Sequence, residues 1–198
     1  MGRLILASAS PIRAALLRNA GLEIEQIPAR IDEEMLRQAL QAEEASPREI
    51  ADALAEHKAL QVAGRHGEGL VLGCDQVLDL DGRVLAKPAD IREARQRLLL
   101  LRGRTHLLHS AAVLYADGAP IWRHVSRAAL TMRAFSDSFL GDYLAAAGED
   151  ATQTVGGYAV ESLGIRLFER IDGDYFGILG LPLLELLNFL SGRGDLNG

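Results

Sequence analysis

The sequence contains a single cysteine, Cys74, among its 198 residues, so it forms no intrachain disulfide and no cysteine-based zinc cluster. A lone cysteine suits a reducing compartment, and we expect a cytoplasmic protein. The chain lacks a positively charged N-terminal region followed by a long apolar stretch, so no signal peptide is expected. No apolar run approaches the ~20 residues that span a bilayer, so no membrane partner is predicted.

Basic residues are few relative to acidic ones, with 21 Lys and Arg against 27 Asp and Glu and a net charge of −6. They form no block or stripe, which argues against nucleic acid as a partner. A chain that is 48% hydrophobic can bury a sizeable core. Neither a repeat nor a composition shift marks a boundary, so we predict one domain spanning residues 1–198.

Several common catalytic motifs are also missing. The chain has no GxxxxGK[ST] phosphate loop, no GxGxxG fingerprint and no GxSxG nucleophile elbow. The five histidines show no spacing typical of metal ligands, and His106 and His109 are predicted near a strand edge. These absences exclude the corresponding nucleotide-binding, hydrolase and zinc classes.

Strand and helix patterns alternate along the chain. The predicted strands are 71–80, a short return strand after Asp81-Gly82, and a hairpin joined at Asp117-Gly118. Helices are predicted over 47–63, 89–103, 136–147 and 182–190. The fold class is therefore α/β, a single elongated, bilobed domain with a mixed central sheet flanked by helices and a cleft.

The stretch "LILASASPIRAALL" places a cation where a helix start favours an anion. Ser10 is a good N-cap and Pro11 suits the first helical position. Arg13 stands where a capping box has Glu or Gln, at the positive end of the helix dipole. With Ser8 it could form an anion site, or it could simply point to solvent.

Other charged and polar residues have both a functional and a structural interpretation. Asp75 and Gln76 follow the apolar "GLVLGC" and could face a ligand crevice or lie at an exposed strand end. Lys87, before a proline, could hold a phosphate or be a solvated loop lysine. The acids of Asp32-Glu33-Glu34 are ordinary at a helix start, and Lys58 by itself is an ordinary helix lysine. Carboxylates of that cluster that join Asp75 would nevertheless suit Mg²⁺ together with phosphate oxygens.

Taken together, six segments resemble, in order, motifs of the Maf family of nucleoside triphosphate pyrophosphatases. They are "LILASASPIRAALL", "IDEE", "LAEHKA", "LGCDQVLDLDGRVLAKP", "LRGRTHLLHSAAVL" and "GGYAVESLGIRLFERIDGDYFGILGLPL". The resemblance covers nearly the whole chain. It implies a Maf/ITPase-like fold, a nucleoside triphosphate substrate, and cleavage between the α- and β-phosphates to a monophosphate and pyrophosphate.

The resemblance also implies roles for individual residues. Asp75 takes the position of the catalytic acid that accepts a proton from the attacking water. Phosphate-contacting positions fall on Ser8, Arg13, Lys58 and Lys87, with the two lysines counted in the catalytic set. Glu33 and Asp75 take the metal position, with Mg²⁺ as the expected divalent cation and Mn²⁺ or Co²⁺ as alternatives. The family chemistry asks mainly for positioning and charge neutralisation.

Several positions that depart from the family pattern bear on which base the nucleotide substrate carries. Gln76 with Glu161 resembles the branch that prefers 7-methyl-GTP, and a Glu161 carboxylate can accept from both guanine donors. Ile12 replaces an arginine or an aromatic residue, and Thr154 replaces a lysine. Tyr158 is a candidate for stacking on the base, and a core position is the alternative.

Two other functions stay open at this stage. One is a dTTP/UTP pyrophosphatase, against which Gln76 and Glu161 argue. The other is a nucleotide-binding cell-division regulator with little turnover, against which the retained Asp75, Lys58 and Lys87 argue. A homodimer is a candidate assembly.

Overall fold

One mixed sheet organises the chain in the computed structural model, which describes residues 4–66 and 69–196. Across those residues the strands are Leu4–Leu6 (β1), Ile24–Gln26 (β2), Leu70–Leu80 (β3), Arg83–Leu85 (β4), Thr105–Ala116 (β5), Ala119–Met132 (β6) and Phe168–Asp172 (β7). The helices are Pro11–Asn19 (α1), Glu33–Ala42 (α2), Pro47–Ala63 (α3), Ile91–Leu101 (α4), Asp137–Ala147 (α5), Asp150–Gln153 (α6), Tyr175–Ile178 (α7) and Leu183–Arg193 (α8), with a 3₁₀ turn at Leu163–Leu167.

The sheet order is β2-β1-β3-β5-β6-β7, with β4 paired to β3 outside that path. β1 runs parallel to β2 and β3, whereas the other pairs are antiparallel, so the predicted mixed α/β sheet is confirmed. Both predicted hairpins are present. Their turns use positive φ at Asp81 (54°) and Asp117 (50°), each followed by a positive-φ glycine, which is the pattern of Asp-Gly hairpin turns.

β5 is an interior strand that pairs with β3 over Leu107–Ala116 and with β6 over Thr105–Ala116. His106 and His109 both lie on it and are buried, at 1% and 6% exposure. The expectation that they sit near a strand edge was therefore wrong for His109, which has a strand partner on both sides. His106 pairs with β6 and lies one residue past the last pair with β3.

β3 is not covered continuously along its other edge. β1 pairs with Leu70–Leu72, and β4 pairs with Leu78–Leu80. Between those two partners, residues 73–77 pair with no strand of the described residues on that side. The sheet is thus open at its centre, directly where Asp75 and Gln76 lie.

Helix α3 covers one face of the sheet at this opening. A complete capping box of Ser46 and Glu49 starts it, as the sequence predicts. It packs closely against β3, because a Cβ added at Gly73 would come within 2.1 Å of the Ala55 carbonyl oxygen and 2.6 Å of the Ala59 nitrogen. Only glycine lets the helix approach the strand this closely.

We therefore expect Gly73→Ala to destabilise the protein and to displace α3. Overpacking of this kind costs about 1–3 kcal/mol, and Tm should fall by roughly 2–4 °C per kcal/mol. Thermal unfolding measures the loss. Gly64→Ala at the end of the same helix is the matched control, because a Cβ there meets only ordinary contacts of 3.4 Å or more. Equal Tm values for the two variants would contradict the close approach.

Candidate active site

The candidate site is built around the opening in the β3 edge. Successive side chains of a strand point to opposite faces, so the side chains of Asp75 and Gln76 lie on opposite faces of the sheet. Asp75 contacts Lys58 of α3, and Gln76 contacts the backbone of α7. The opening joins a charged half on the α3 side to a pocket on the α7 side.

Lys58 is the centre of the charged half. Its Nζ lies 2.5 Å from Oδ1 of Asp75 and 2.9 Å from Oε1 of Glu33, the first residue of α2. Lys58 and Asp75 are buried, at 8% and 7% exposure, whereas the Glu33 side chain is about half exposed at 52%. The structure therefore brings together three site residues that the sequence separates by up to 42 positions.

Burial raises the pKa of Asp75 above its usual range, while Lys58 and Arg13 oppose that shift and Glu33 adds to it. A carboxylate with a raised pKa is a stronger base than a solvated aspartate. The Lys58 ammonium engages Oδ1. Across the described residues no protein donor reaches Oδ2, which leaves that oxygen for a water or a metal ion.

Arg13 links the turn at Ser8 to the opening in the β3 edge through hydrogen bonds. Its Nη1 donates to Oγ of Ser8 at 3.2 Å and to the carbonyl of Cys74 at 3.0 Å. Its Nε donates to the carbonyl of Gly180 at 2.8 Å. The predicted cap is confirmed, because Ser10 Oγ accepts from the backbone nitrogen of Arg13. Arg13 thus does not simply point to solvent.

Lys87 belongs to the same electrostatic environment. The pKa of its ammonium is lowered overall. Desolvation and the nearby cations Arg13 and Lys58 lower this pKa, and the carboxylates of Glu33 and Asp75 oppose the shift. The residue itself is exposed, at the end of the segment after β4. Three cations and two carboxylates therefore interact at the charged half, which is the arrangement that a polyphosphate with a divalent cation would neutralise.

The pocket on the α7 side contains the residues predicted to contact the base. Its lining is Ile12, Gln76, Leu108, Thr154, Val155, Gly156, Tyr158, Ala159, Val160, Glu161, Ile178 and Leu179. Every residue predicted from the sequence to influence base choice is in this set. The lining is mostly apolar with a few polar groups, as is typical of small-molecule sites.

The orientation of the Gln76 amide follows from its partners. Nε2 lies 2.9 Å from the carbonyl oxygen of Ile178, 3.3 Å from that of Gly177 and 2.8 Å from Oγ of Ser110. Carbonyl oxygens only accept, so the NH₂ group must face them. No donor in the described part of the chain reaches Oε1, so Gln76 offers the pocket an acceptor.

Glu161 and Tyr158 occupy different environments within this pocket. The Glu161 side chain is exposed at the rim of the pocket. Tyr158 is 5% exposed, its hydroxyl lies 2.6 Å from Nε2 of His106, and its ring packs edge-on against Phe168. These contacts hold Tyr158 in the core at the pocket wall and leave little free ring face for stacking.

Sequence reasoning missed Ser110 and Arg97. Ser110 is buried at 1% exposure and holds the Gln76 amide. Arg97 donates to two backbone carbonyls beside the site. A serine within the apolar stretch "SAAVL" was a usable signal for the first. Nothing local distinguishes Arg97 from the other arginines of α4.

The described residues contain neither a ready-made cluster of metal ligands nor a membrane-spanning helix. Over 4–66 and 69–196, no group of three or more His, Cys, Asp or Glu side chains could hold a metal ion. Cys74 is buried, and burial raises the pKa of its thiol to about 11. Among the helices in those ranges, none has the length and apolar content needed to cross a membrane.

The arrangement of these residues agrees with a family match. The model of the Maf-like protein family matches residues 3–193. The chain belongs to the Maf-like protein family. The resemblance to this family is thus confirmed, and the residues that the sequence predicts for the site lie on both sides of one opening in the sheet.

Curated Maf-like relatives cover almost the full length of the chain. A protein from Ruegeria pomeroyi named nucleoside triphosphate pyrophosphatase is 53% identical over 191 residues, 96% of each chain. One from Mesorhizobium japonicum named 7-methyl-GTP pyrophosphatase is 52% identical over 196 residues, 99% of this chain and 98% of its own. A solved HAM1 protein from Coxiella burnetii covers 68% of this chain and 75% of its own at 19% identity and a TM-score of 0.41, which is too low to support any conclusion.

Proposed function

We propose that residues 1–198 form a single Maf-like domain that hydrolyses the α–β phosphoanhydride of a nucleoside triphosphate, releasing the monophosphate and pyrophosphate. The observation that carries this is the buried Asp75 carboxylate, held by Lys58 at the opening between a charged half and a base pocket. A binding module has no need of a desolvated acid beside its phosphate site. The names of the relatives support the same reaction.

Each residue of the charged half has a distinct task in this reaction. Asp75 accepts the proton of the water that attacks the α-phosphorus, and pyrophosphate leaves with the bonding electrons. Lys58, Lys87 and Arg13 balance the charge of the phosphate chain. Ser8 is held by Arg13 and by the Ser10 nitrogen, and it keeps a hydroxyl proton to donate to a phosphate oxygen.

The residues of the charged half could hold a divalent cation only together with phosphate oxygens of the substrate. Glu33 and Asp75 supply carboxylate oxygens around Lys58, and phosphate oxygens would complete an oxygen ligand set of the kind Mg²⁺ uses. A bound cation would neutralise charge on the phosphates. Mg²⁺ is the proposed ion, with Mn²⁺ and Co²⁺ as alternatives, and the cytoplasm is the proposed compartment.

We propose 7-methyl-GTP, or a related guanine nucleotide, as the preferred substrate. Gln76 offers an acceptor oxygen and Glu161 a carboxylate, so the pocket matches a base edge rich in donors. Guanine has two adjacent donors, N1–H and the N2 amine, whereas uracil and thymine have one between two acceptors. Methylation at N7 adds positive charge, which Glu161 also favours.

A pyrophosphate-release assay with Mg²⁺ tests this function. The panel should contain 7-methyl-GTP, GTP, UTP, dTTP and other modified triphosphates. Release from none of them would leave the nucleotide-binding regulator as the better account. Preference for UTP or dTTP would retain the reaction and overturn the choice of base. Sedimentation of the same preparation tests the proposed homodimer.

Exchanging the base-facing carboxylate should alter base choice. We expect Glu161→Gln to lower the ratio of kcat/KM for 7-methyl-GTP over that for UTP by roughly 10-fold or more, because an amide offers one acceptor oxygen where the carboxylate offers two to the guanine donors. Steady-state kinetics with both substrates measure the ratio. Glu169→Gln, an exposed acid on β7 outside the pocket, is the control. An unchanged ratio for Glu161→Gln would mean that this side chain does not contact the base.

A further inference from the structure

Arg97 connects the charged half of the site to the wall of the base pocket, although it does not itself line that pocket. It lies on α4 and is partly buried. Its Nη1 donates to the carbonyl oxygen of Ala86 at 2.7 Å and to that of Val155 at 2.6 Å. These two acceptors belong to segments 69 positions apart in sequence. A guanidinium that donates to two carbonyls makes charge-assisted bonds, which are stronger than neutral ones.

Each acceptor lies beside a residue of the proposed site. Ala86 precedes Lys87, whose ammonium interacts with Arg13, Lys58, Glu33 and Asp75. Val155 lines the base pocket, and the neighbouring Thr154 accepts a hydrogen bond from the backbone nitrogen of Tyr158 at 2.9 Å. A shift at either carbonyl therefore moves a phosphate-contacting lysine or a wall of the pocket.

We propose that Arg97 is a positioning residue that sets the spacing between Lys87 and the wall of the base pocket at Val155. This inference rests on the proposed function. Its consequence is that binding of the base aligns the phosphate chain with Asp75 and Lys58. Small misplacements of this kind are costly, since displacement by about 1 Å can reduce rate about 100-fold.

Arg97→Met tests the spacing because it keeps most of the apolar stem and removes the donors. We expect the Kd of a non-hydrolysable α,β-methylene analogue of 7-methyl-GTP to rise about 10- to 100-fold, measured by calorimetry. The Kd of inorganic pyrophosphate, which occupies only the phosphate half and does not depend on the distance to the base pocket, should rise by a smaller factor than that of the analogue. Arg97→Lys keeps a charged donor with a shorter reach and should recover part of the analogue affinity. Equal weakening of both ligands, or no weakening of either, would overturn the proposal.

The matched control is Arg92→Met on the same helix. Arg92 is exposed, and its contact is with Asp90, 4.0 Å away, outside both segments. It should leave both Kd values unchanged. A loss of analogue affinity in Arg92→Met equal to that in Arg97→Met would contradict a specific role for Arg97.

Amide hydrogen exchange separates failure of this inference from failure of the proposed function. Arg97→Met should speed exchange in residues 84–87 and in residues 154–158 together, with no ligand present. Faster exchange in neither segment, or in only one, would contradict the tether. If the wild type releases no pyrophosphate from any triphosphate, the proposed function fails while the exchange result still decides whether Arg97 joins the segments.

Discussion

Asp75→Asn should reduce kcat by about 10²–10⁴-fold, the usual loss when a general base is removed, and leave nucleotide affinity largely intact. Asparagine keeps the size of the side chain and can still accept from Lys58, which lies 2.5 Å from Oδ1. It cannot take a proton from water. Pyrophosphate release measures kcat, and calorimetry with the methylene analogue measures affinity.

The pH profile supplies an independent check on the same residue. Because burial raises the pKa of Asp75 and the base must be deprotonated to act, kcat/KM should decline on the acid side above the pH expected for a solvated aspartate. In Asp75→Asn this acid limb should disappear from the residual activity. An acid limb that persists unchanged would assign it to another group.

Asp79→Asn is the matched control for this substitution. Asp79 lies on the same strand and face, is equally buried at 7% exposure, and bonds to the Gly82 nitrogen and to His109. We expect it to reduce stability while kcat stays within a few-fold of wild type. An Asp75→Asn enzyme with near-normal kcat would refute the role of the acid.

Arg13→Ala should have the second-largest effect, raising KM and lowering kcat together. It removes the cation at the phosphate half and the contacts with Ser8, Cys74 and Gly180. Loss of a charge-assisted contact costs about 1.5–3 kcal/mol, which corresponds to about 10- to 150-fold in kcat/KM. Steady-state kinetics beside thermal unfolding separate the two contributions.

Arg18→Ala on the same helix is the control, because Arg18 is exposed in the last turn of α1. It should leave the kinetic constants unchanged. If Arg13→Ala lowers Tm and has normal kinetics, Arg13 is purely structural. Inorganic pyrophosphate should also bind less tightly to Arg13→Ala, whereas Arg97→Met should weaken this affinity less than the affinity for the methylene analogue.

Local sequence determined the helices, strands and turns, and it identified the type of reaction. Asp-Gly pairs made both hairpins predictable, since their turns need positive φ, and Ser46 with Glu49 identified the start of α3. The ordered motifs carried the family and its site residues. The end of α8 was less predictable, because the helix stops at Gly194 in the left-handed region and passes Gly192.

Only the tertiary structure decided how these pieces meet. The opening at residues 73–77 exists because β1 and β4 pair with different parts of one β3 edge, and pairing partners are long-range choices that local pattern does not encode. The same holds for the interior position of β5, the acceptor oxygen that Gln76 offers to the pocket, and the two carbonyls that Arg97 joins. Each depends on backbone groups far away in sequence, whose positions are set by packing and not by propensity.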